Sequence, residues 1–210
     1  MKIKFKKYIL GIIGAIVVGF AVAILTKAEF GLDAFSSFIG NLVQMTGRSF
    51  GLFNFIIGIC FVTINTVINR KRYNFFAIVI AFVIGVSVDL FIPIVRGDKD
   101  VLLLYARMIW FVIGVLIYGF GVAILIKSSI LSPLEEYMMA IKKIFHTTVA
   151  KSKFITDASL ILFALIVGYF ALGSFGQVGI GSVVITIFVG KVIDLFLKVF
   201  KKINIGEKRE

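Results

Sequence analysis

A single cysteine, Cys60, and a single histidine, His146, are all that this chain offers to thiol and imidazole chemistry. One cysteine closes no disulfide within the chain and builds no thiolate metal cluster. A lone histidine among basic residues makes no metal site by itself and reads as a solvated side chain. No Ser/His/Asp order, HExxH pair, P-loop or paired-carboxylate motif is present, so neither an enzyme nor a cofactor is expected. Acidic residues are scarce too. Eleven Asp and Glu stand against 23 Lys and Arg, a net charge of +12. On a soluble protein that excess points to nucleic acid. Here the basic residues cluster at the ends of apolar runs, where they set topology, and nucleic acid is not an expected partner. No small-residue cleavage site follows the first apolar run, which reads as a retained helix and not as a signal peptide.

What the chain has in abundance is apolar sequence. Of its 210 residues 60% are hydrophobic, and the mean hydropathy is +1.08. Soluble domains sit nearer 45–50% apolar. Several runs approach 20 residues, enough to cross a hydrocarbon core of about 30 Å. The spacing predicts six spans, at about 8–25, 51–68, 75–94, 101–126, 154–172 and 182–199. The basic clusters at the N-terminus, 70–72, 142–153 and 198–209 then fall on one side, which places both termini in the cytoplasm. Lys151 and Lys153 count among these inner charges. The glycine-rich stretch 173–181 reads as a flexible outer loop.

A nine-residue stretch occurs twice. Residues 19–27 (GFAVAILTK) and 119–127 (GFGVAILIK) match at seven of nine positions, and Gly14 and Gly114 extend the match upstream. A second echo pairs Gly85–Phe91 with Gly190–Phe196, and Ser49 and Asn54 align with Ser152 and Asp157. A long internal period in an apolar chain indicates a duplicated membrane bundle. Three spans per copy is an odd number, so the two copies, 1–100 and 101–210, are expected to have opposite orientation, as in many secondary transporters. The expected fold is all-α: six transmembrane helices as two inverted three-helix repeats, with a short extra helix in each.

The short helices follow the echoed lysines, at 33–45 and 133–145. Both have amphipathic spacing and starts that favour helices: Asp33 as an N-cap, and Ser132-Pro133 with Glu135 as a capping box. Each is too short to span. They are either interfacial helices lying flat or re-entrant half-helices whose N-termini meet a substrate near the midplane. Lys142 and Lys143 favour the interfacial reading for the second.

Asp89 and Asp194 end equivalent helices and are the leading candidates for proton or cation coupling, with interfacial anchoring as the alternative. Asn54 and Asp157 are the next equivalent pair, either holding helices together or lining a cavity. Asp33, Ser132 and Glu135 complete the candidate substrate- or ion-binding set. Arg107 reads first as an outer anchor. The repeated glycines Gly14, Gly19, Gly85, Gly114, Gly119 and Gly190 are expected at close helix contacts.

The chain resembles the YczE/YyaS/YitT family of bacterial integral membrane proteins. The resemblance rests on Gly14-x4-Gly19-Phe leading into Lys27-x3-Phe30-Gly31-Leu32-Asp33, then Ser49-Phe50-Gly51, then Gly85-x3-Asp89, with a degraded copy in the second half. It ends 11 residues after Val199 and so looks more like the shorter YczE-type members than the longer YitT-type ones. The resemblance implies a helical bundle in the bacterial cytoplasmic (inner) membrane, with transport suspected and no activity assigned. The function expected is a secondary transporter or permease of a small metabolite or drug-like solute, proton- or cation-coupled. The alternatives are a non-transporting accessory or scaffold subunit of a membrane complex and a substrate-capture subunit of a larger importer. The expected partners are the lipid bilayer and a small solute, with a homodimer or a partner membrane protein left open.

Overall fold

A computed structural model describes residues 2–69, 74–96 and 103–202. The basic turn at 70–72 and the end of the basic tail lie outside the described residues. Among those described, eight α-helices and no strands are present: α1 (Lys2–Ala28), α2 (Ala34–Thr46), α3 (Phe50–Asn69), α4 (Phe75–Arg96), α5 (Leu104–Ser128), α6 (Pro133–Ile144), α7 (Val149–Leu172) and α8 (Ile180–Lys202). All except α2 and α6 contain a stretch long and apolar enough to cross a membrane. In such a helix every backbone group is satisfied internally, which a hydrocarbon environment requires. Large apolar side chains such as Leu162, Phe170 and Val112 face outward. On a multi-pass membrane protein these are lipid contacts.

The two helices that carry the echo, α1 and α5, form the centre of the bundle and pack most extensively on each other. They run antiparallel with reciprocal contacts. A Cβ on Gly14 would lie 3.1 Å from the Leu125 side chain, and one on Gly114 would lie 2.8 Å from the Leu25 side chain. From 12–34 and 112–134, burial agrees position by position. Glu29 and Ser129, equivalent residues just past the helix ends, both adopt positive φ, at 55° and 58°. At one of these ends Arg107 closes α1. Its Nε donates to the Ala28 carbonyl at 3.0 Å and its Nη2 to the Glu29 carbonyl at 2.8 Å. A cation there also complements the helix dipole.

Contacts elsewhere follow the same doubling. Helix α4 packs on α1 and α3, as α8 packs on α5 and α7. Glycine allows these approaches. A Cβ on Gly85 would lie 2.6 Å from the Cα of Gly51, and one on Gly190 would lie 2.7 Å from the Cα of Ala150. Gly19 and Gly119 sit at the α1–α4 and α5–α8 contacts. The short helices cross over: α2 packs mainly on α7, and α6 on both α3 and α7.

The stretch 173–179, read from sequence as a flexible loop, is tied down instead. Leu32 N donates to the Gln177 carbonyl at 3.2 Å, Gln177 N to Asn41 Oδ1 at 2.7 Å, and Gly181 N to the Phe30 carbonyl at 2.7 Å. Gly176 and Gly179 serve close approach: a Cβ on Gly176 would run into the Asn41 side chain and one on Gly179 into the Phe30 carbonyl.

Candidate functional site

Helices α2 and α6 each bury their first turn and expose their last. In α2, Ala34, Ser36 and Ser37 are buried while Met45 and Thr46 are exposed; in α6, Leu134 and Glu135 are buried while Lys143 and Ile144 are exposed. At about 1.5 Å per residue, a helix of 12 or 13 residues reaches from the middle of a bundle to its end. Lys142 and Lys143 belong to the last turn of α6, so their charges do not oppose burial of its start. Local chemistry sets both starts. Asp33 Oδ2 accepts from Ser36 N at 3.3 Å, and Ser132 Oγ accepts from Glu135 N at 3.5 Å. The Ser132 hydroxyl also donates to the Glu135 carboxylate.

Both starts line one central cavity of about 30 Å³, together with Asn54 from α3 and Tyr118 from α5. Val18, Ala81 and Ile84 add apolar wall. Val18, Ile84 and Tyr118 lie near the midpoints of α1, α4 and α5, so the cavity sits at mid-bundle. The Tyr118 hydroxyl donates to Asp33 Oδ2 at 3.2 Å. Beside it, Lys153 Nζ donates to Asp157 Oδ1 at 2.7 Å, with both side chains almost wholly buried, and Nζ stands 5.7 Å from the Tyr118 ring centre. The charges of Glu135 and Asp33 also act on Lys153. Asp33, Glu135, Lys153 and Asp157 are the buried charged residues among those described. Two carboxylate oxygens in the group, Asp33 Oδ1 and Asp157 Oδ2, are buried without a hydrogen-bond partner.

Of the residues singled out from sequence, Asp33, Asn54, Ser132 and Glu135 meet in this cavity, with Asp157 in the adjoining pair. Asp89 does not join them. It accepts from Phe50 N at 3.0 Å and Gly51 N at 2.8 Å, capping α3 on the wall of a second cavity. This one is a vestibule of about 760 Å³, at the end of the bundle where α1 finishes. Phe50 borders both spaces. Asp194 is partly exposed on α8, away from both. Asn54 Nδ2 donates to the Ala81 carbonyl, tying α3 to α4.

Sequence reading missed Lys153, taken there for a surface charge before the fifth span. The helix begins earlier, at Val149, where Thr148 Oγ1 accepts from Lys151 N at 3.2 Å. Lys153 thereby becomes helical and faces inward. The i,i+4 spacing to Asp157 was the available signal. Tyr118 carried none, because one tyrosine in an apolar run looks like packing. Asn65 and Asn41 were also missed. Asn65 Nδ2 donates to the Pro133 carbonyl at 2.9 Å, and Asn41 Nδ2 to the Ala164 carbonyl at 2.8 Å.

Among the described residues no group of three His, Cys, Asp or Glu is placed to hold a metal ion. A family model, the "Family of unknown function (DUF6198)", matches residues 5–198. The chain belongs to this family. The "Uncharacterized protein YyaS" of Bacillus subtilis (strain 168) is 21% identical over 204 residues, covering 97% of this chain and 98% of the relative. That likeness supports the YczE/YyaS/YitT resemblance drawn from the glycine-rich motifs. An "Uncharacterized protein" of Haemophilus influenzae (strain ATCC 51907 / DSM 11121 / KW20 / Rd) is 28% identical over 127 residues, 60% of this chain and 52% of that protein. No solved structure matches the DUF6198 chain significantly.

Proposed function

We propose that this DUF6198 protein is a secondary transporter of a small solute, built from two inverted three-span repeats that alternate access to the central cavity. The observation that carries the reading is the buried ionisable group at mid-bundle, between the starts of two half-helices from different halves. Ionisable side chains at membrane depth are expensive and by default functional, and half-helix ends at a midplane site are a recurring transporter device. The antiparallel, reciprocal contacts of α1 and α5 support the inverted arrangement. The vestibule behind Phe50 supports a state open toward one side and closed at the cavity.

Orientation follows from charge. Lys6, Lys7, Lys142, Lys143, Lys201 and Lys202 gather at the end opposite the vestibule, so that end is cytoplasmic, both termini lie inside, and the vestibule faces outward. The residence this implies is a bacterial cytoplasmic membrane. Lys153 and Asp157 form a charge pair next to the cavity, Glu135 and Asp33 flank it, and Asn54 and Tyr118 supply polar contacts.

A melting-temperature screen of the purified protein against metabolites, amines, organic acids and drug-like solutes tests the reading. A selective, saturable rise that is lost in Asn54→Ala or Glu135→Gln is expected, followed by counterflow of the same solute in liposomes. If no solute moves the melting temperature of the folded protein, and a stoichiometric membrane partner copurifies with it, the accessory-subunit alternative replaces transport.

A further inference from the structure

The N-terminal starts of α2 and α6 are positive, and in transporters such starts receive an anionic group. Here the chain supplies its own anions. The Asp33 carboxylate sits on the start of α2, and Ser132 with the Glu135 carboxylate occupies the start of α6. A second anion would meet filled positions and like charge.

Charge balance points the other way. Three buried carboxyl groups, Asp33, Glu135 and Asp157, surround one buried ammonium, Lys153, whose hydrogen bond goes to Asp157. A buried carboxylate left without a counter-charge is strongly disfavoured. The donors near Asp33 are already committed. Ser36 N and the Tyr118 hydroxyl both donate to Oδ2, and Asn54 Nδ2 donates to the Ala81 carbonyl. Oδ1 is left buried without a partner, beside a cavity whose lining also includes Ser36, Asn54 and Ser132. At about 30 Å³ the space suits one water-sized occupant. With no trio of acidic or imidazole ligands in place, and carboxylate, hydroxyl and amide oxygens as the available atoms, a hard ion of low charge fits best.

We infer that the central cavity binds one small monovalent cation, held by Asp33 Oδ1 together with oxygens of Ser36, Ser132 and Asn54. The inference rests on the transport reading for the ion's role, which is to couple solute movement to a cation gradient. The ion neutralises Asp33 when it enters from the vestibule past Phe50. Lys153 remains with Asp157 as the tethered internal charge.

The test is the melting temperature of the full chain in a neutral detergent, in sodium, potassium, ammonium or choline chloride at one fixed total concentration. At least one of the three small cations is expected to raise it by several degrees, saturably, over choline. The rise should vanish in Asp33→Asn and persist in Asp194→Asn, which lies outside the cavity. Because Asp33→Asn could unfold the chain, Tyr118→Phe provides a second reading. Removing a donor from the Asp33 carboxylate should move half-saturation to a cation concentration several-fold lower. Equal melting temperatures in all four salts, a response to pH alone, or a cation shift that survives in folded Asp33→Asn would each overturn the site. Liposome flux separates this inference from the reading beneath it. Solute flux that runs equally well in choline would overturn the cation site and leave transport standing. Saturable, Asp33-dependent cation binding with no flux of any solute would leave the site standing and remove transport.

Discussion

Lys153 shows how one residue changes meaning between sequence and structure. In a run with Lys151 it looks like a topology marker. In the fold its ammonium is buried against Asp157 at 2.7 Å. Breaking a buried pair by removing one partner leaves the other charge uncompensated, a loss of about 3–5 kcal/mol, whereas replacing both partners by apolar groups is often near neutral. Lys153→Met should therefore destabilise the protein by about that amount, and Lys153→Met with Asp157→Leu by much less. Reversible unfolding in mixed detergent micelles would measure both. Equal losses in the two variants would show that the pair does not act as a unit. Asp33 was easier to read, since an aspartate just before a periodic apolar run is a helix cap wherever it lies. Its unpartnered second oxygen depends on Tyr118 and the cavity, and no local pattern encodes that.

At the scale of elements, the six long helices were legible because a hydrocarbon environment leaves an apolar stretch of this length few alternatives. The short helices were legible as helices but not by depth. Amphipathic spacing is the same for a helix lying on a membrane face and for one that dips its first turn into a bundle. What decides here is the partner surface: α2 docks on α7 and on the tied-down loop through Asn41, which accepts from Gln177 N and donates to the Ala164 carbonyl. Asn41→Ala removes both hydrogen bonds, at about 0.5–1.5 kcal/mol for each. The expected outcome is faster hydrogen exchange in α2 and the 173–179 loop, with α3 and α4 unchanged. Uniform loss of protection over the whole chain would instead mean that α2 does not open on its own. The leading sequence candidates, Asp89 and Asp194, lie outside the lining of the central cavity. Asp89, inside α4, is held by the backbone N–H groups of Phe50 and Gly51 at the start of α3, a contact that no local pattern encodes.

For the whole molecule, alternating access makes a prediction about labelling. In a Cys60→Ala background, Ser49→Cys in the vestibule should react with an impermeant maleimide added outside intact cells. Lys151→Cys, at the opposite end, should react only after permeabilisation. Ser36→Cys, behind Phe50, should react slowly from either side and faster once Phe50→Ala removes the barrier. Outside labelling of Lys151→Cys would reverse the orientation, and unchanged protection of Ser36→Cys in Phe50→Ala would take away the gate. The 100-residue echo was visible in the chain because matching positions of α1 and α5 carry matching residues with matching burial. α1 and α5 meet each other in the core of the bundle, so their glycines and small residues are constrained twice over.

The sequence by itself determined the type of the elements and the six helices long and apolar enough to cross a membrane, since these follow from apolar run length and helical period. Tertiary structure alone decided which polar residues share a cavity. Asp33, Asn54, Tyr118 and Glu135, which line the cavity, and Lys153 beside it come from five different helices or their caps. The crossing of α2 onto α7 and α6 onto α3 brings them together, and burial turns ordinary polar residues into a site because the surrounding helices remove the water that would otherwise satisfy them.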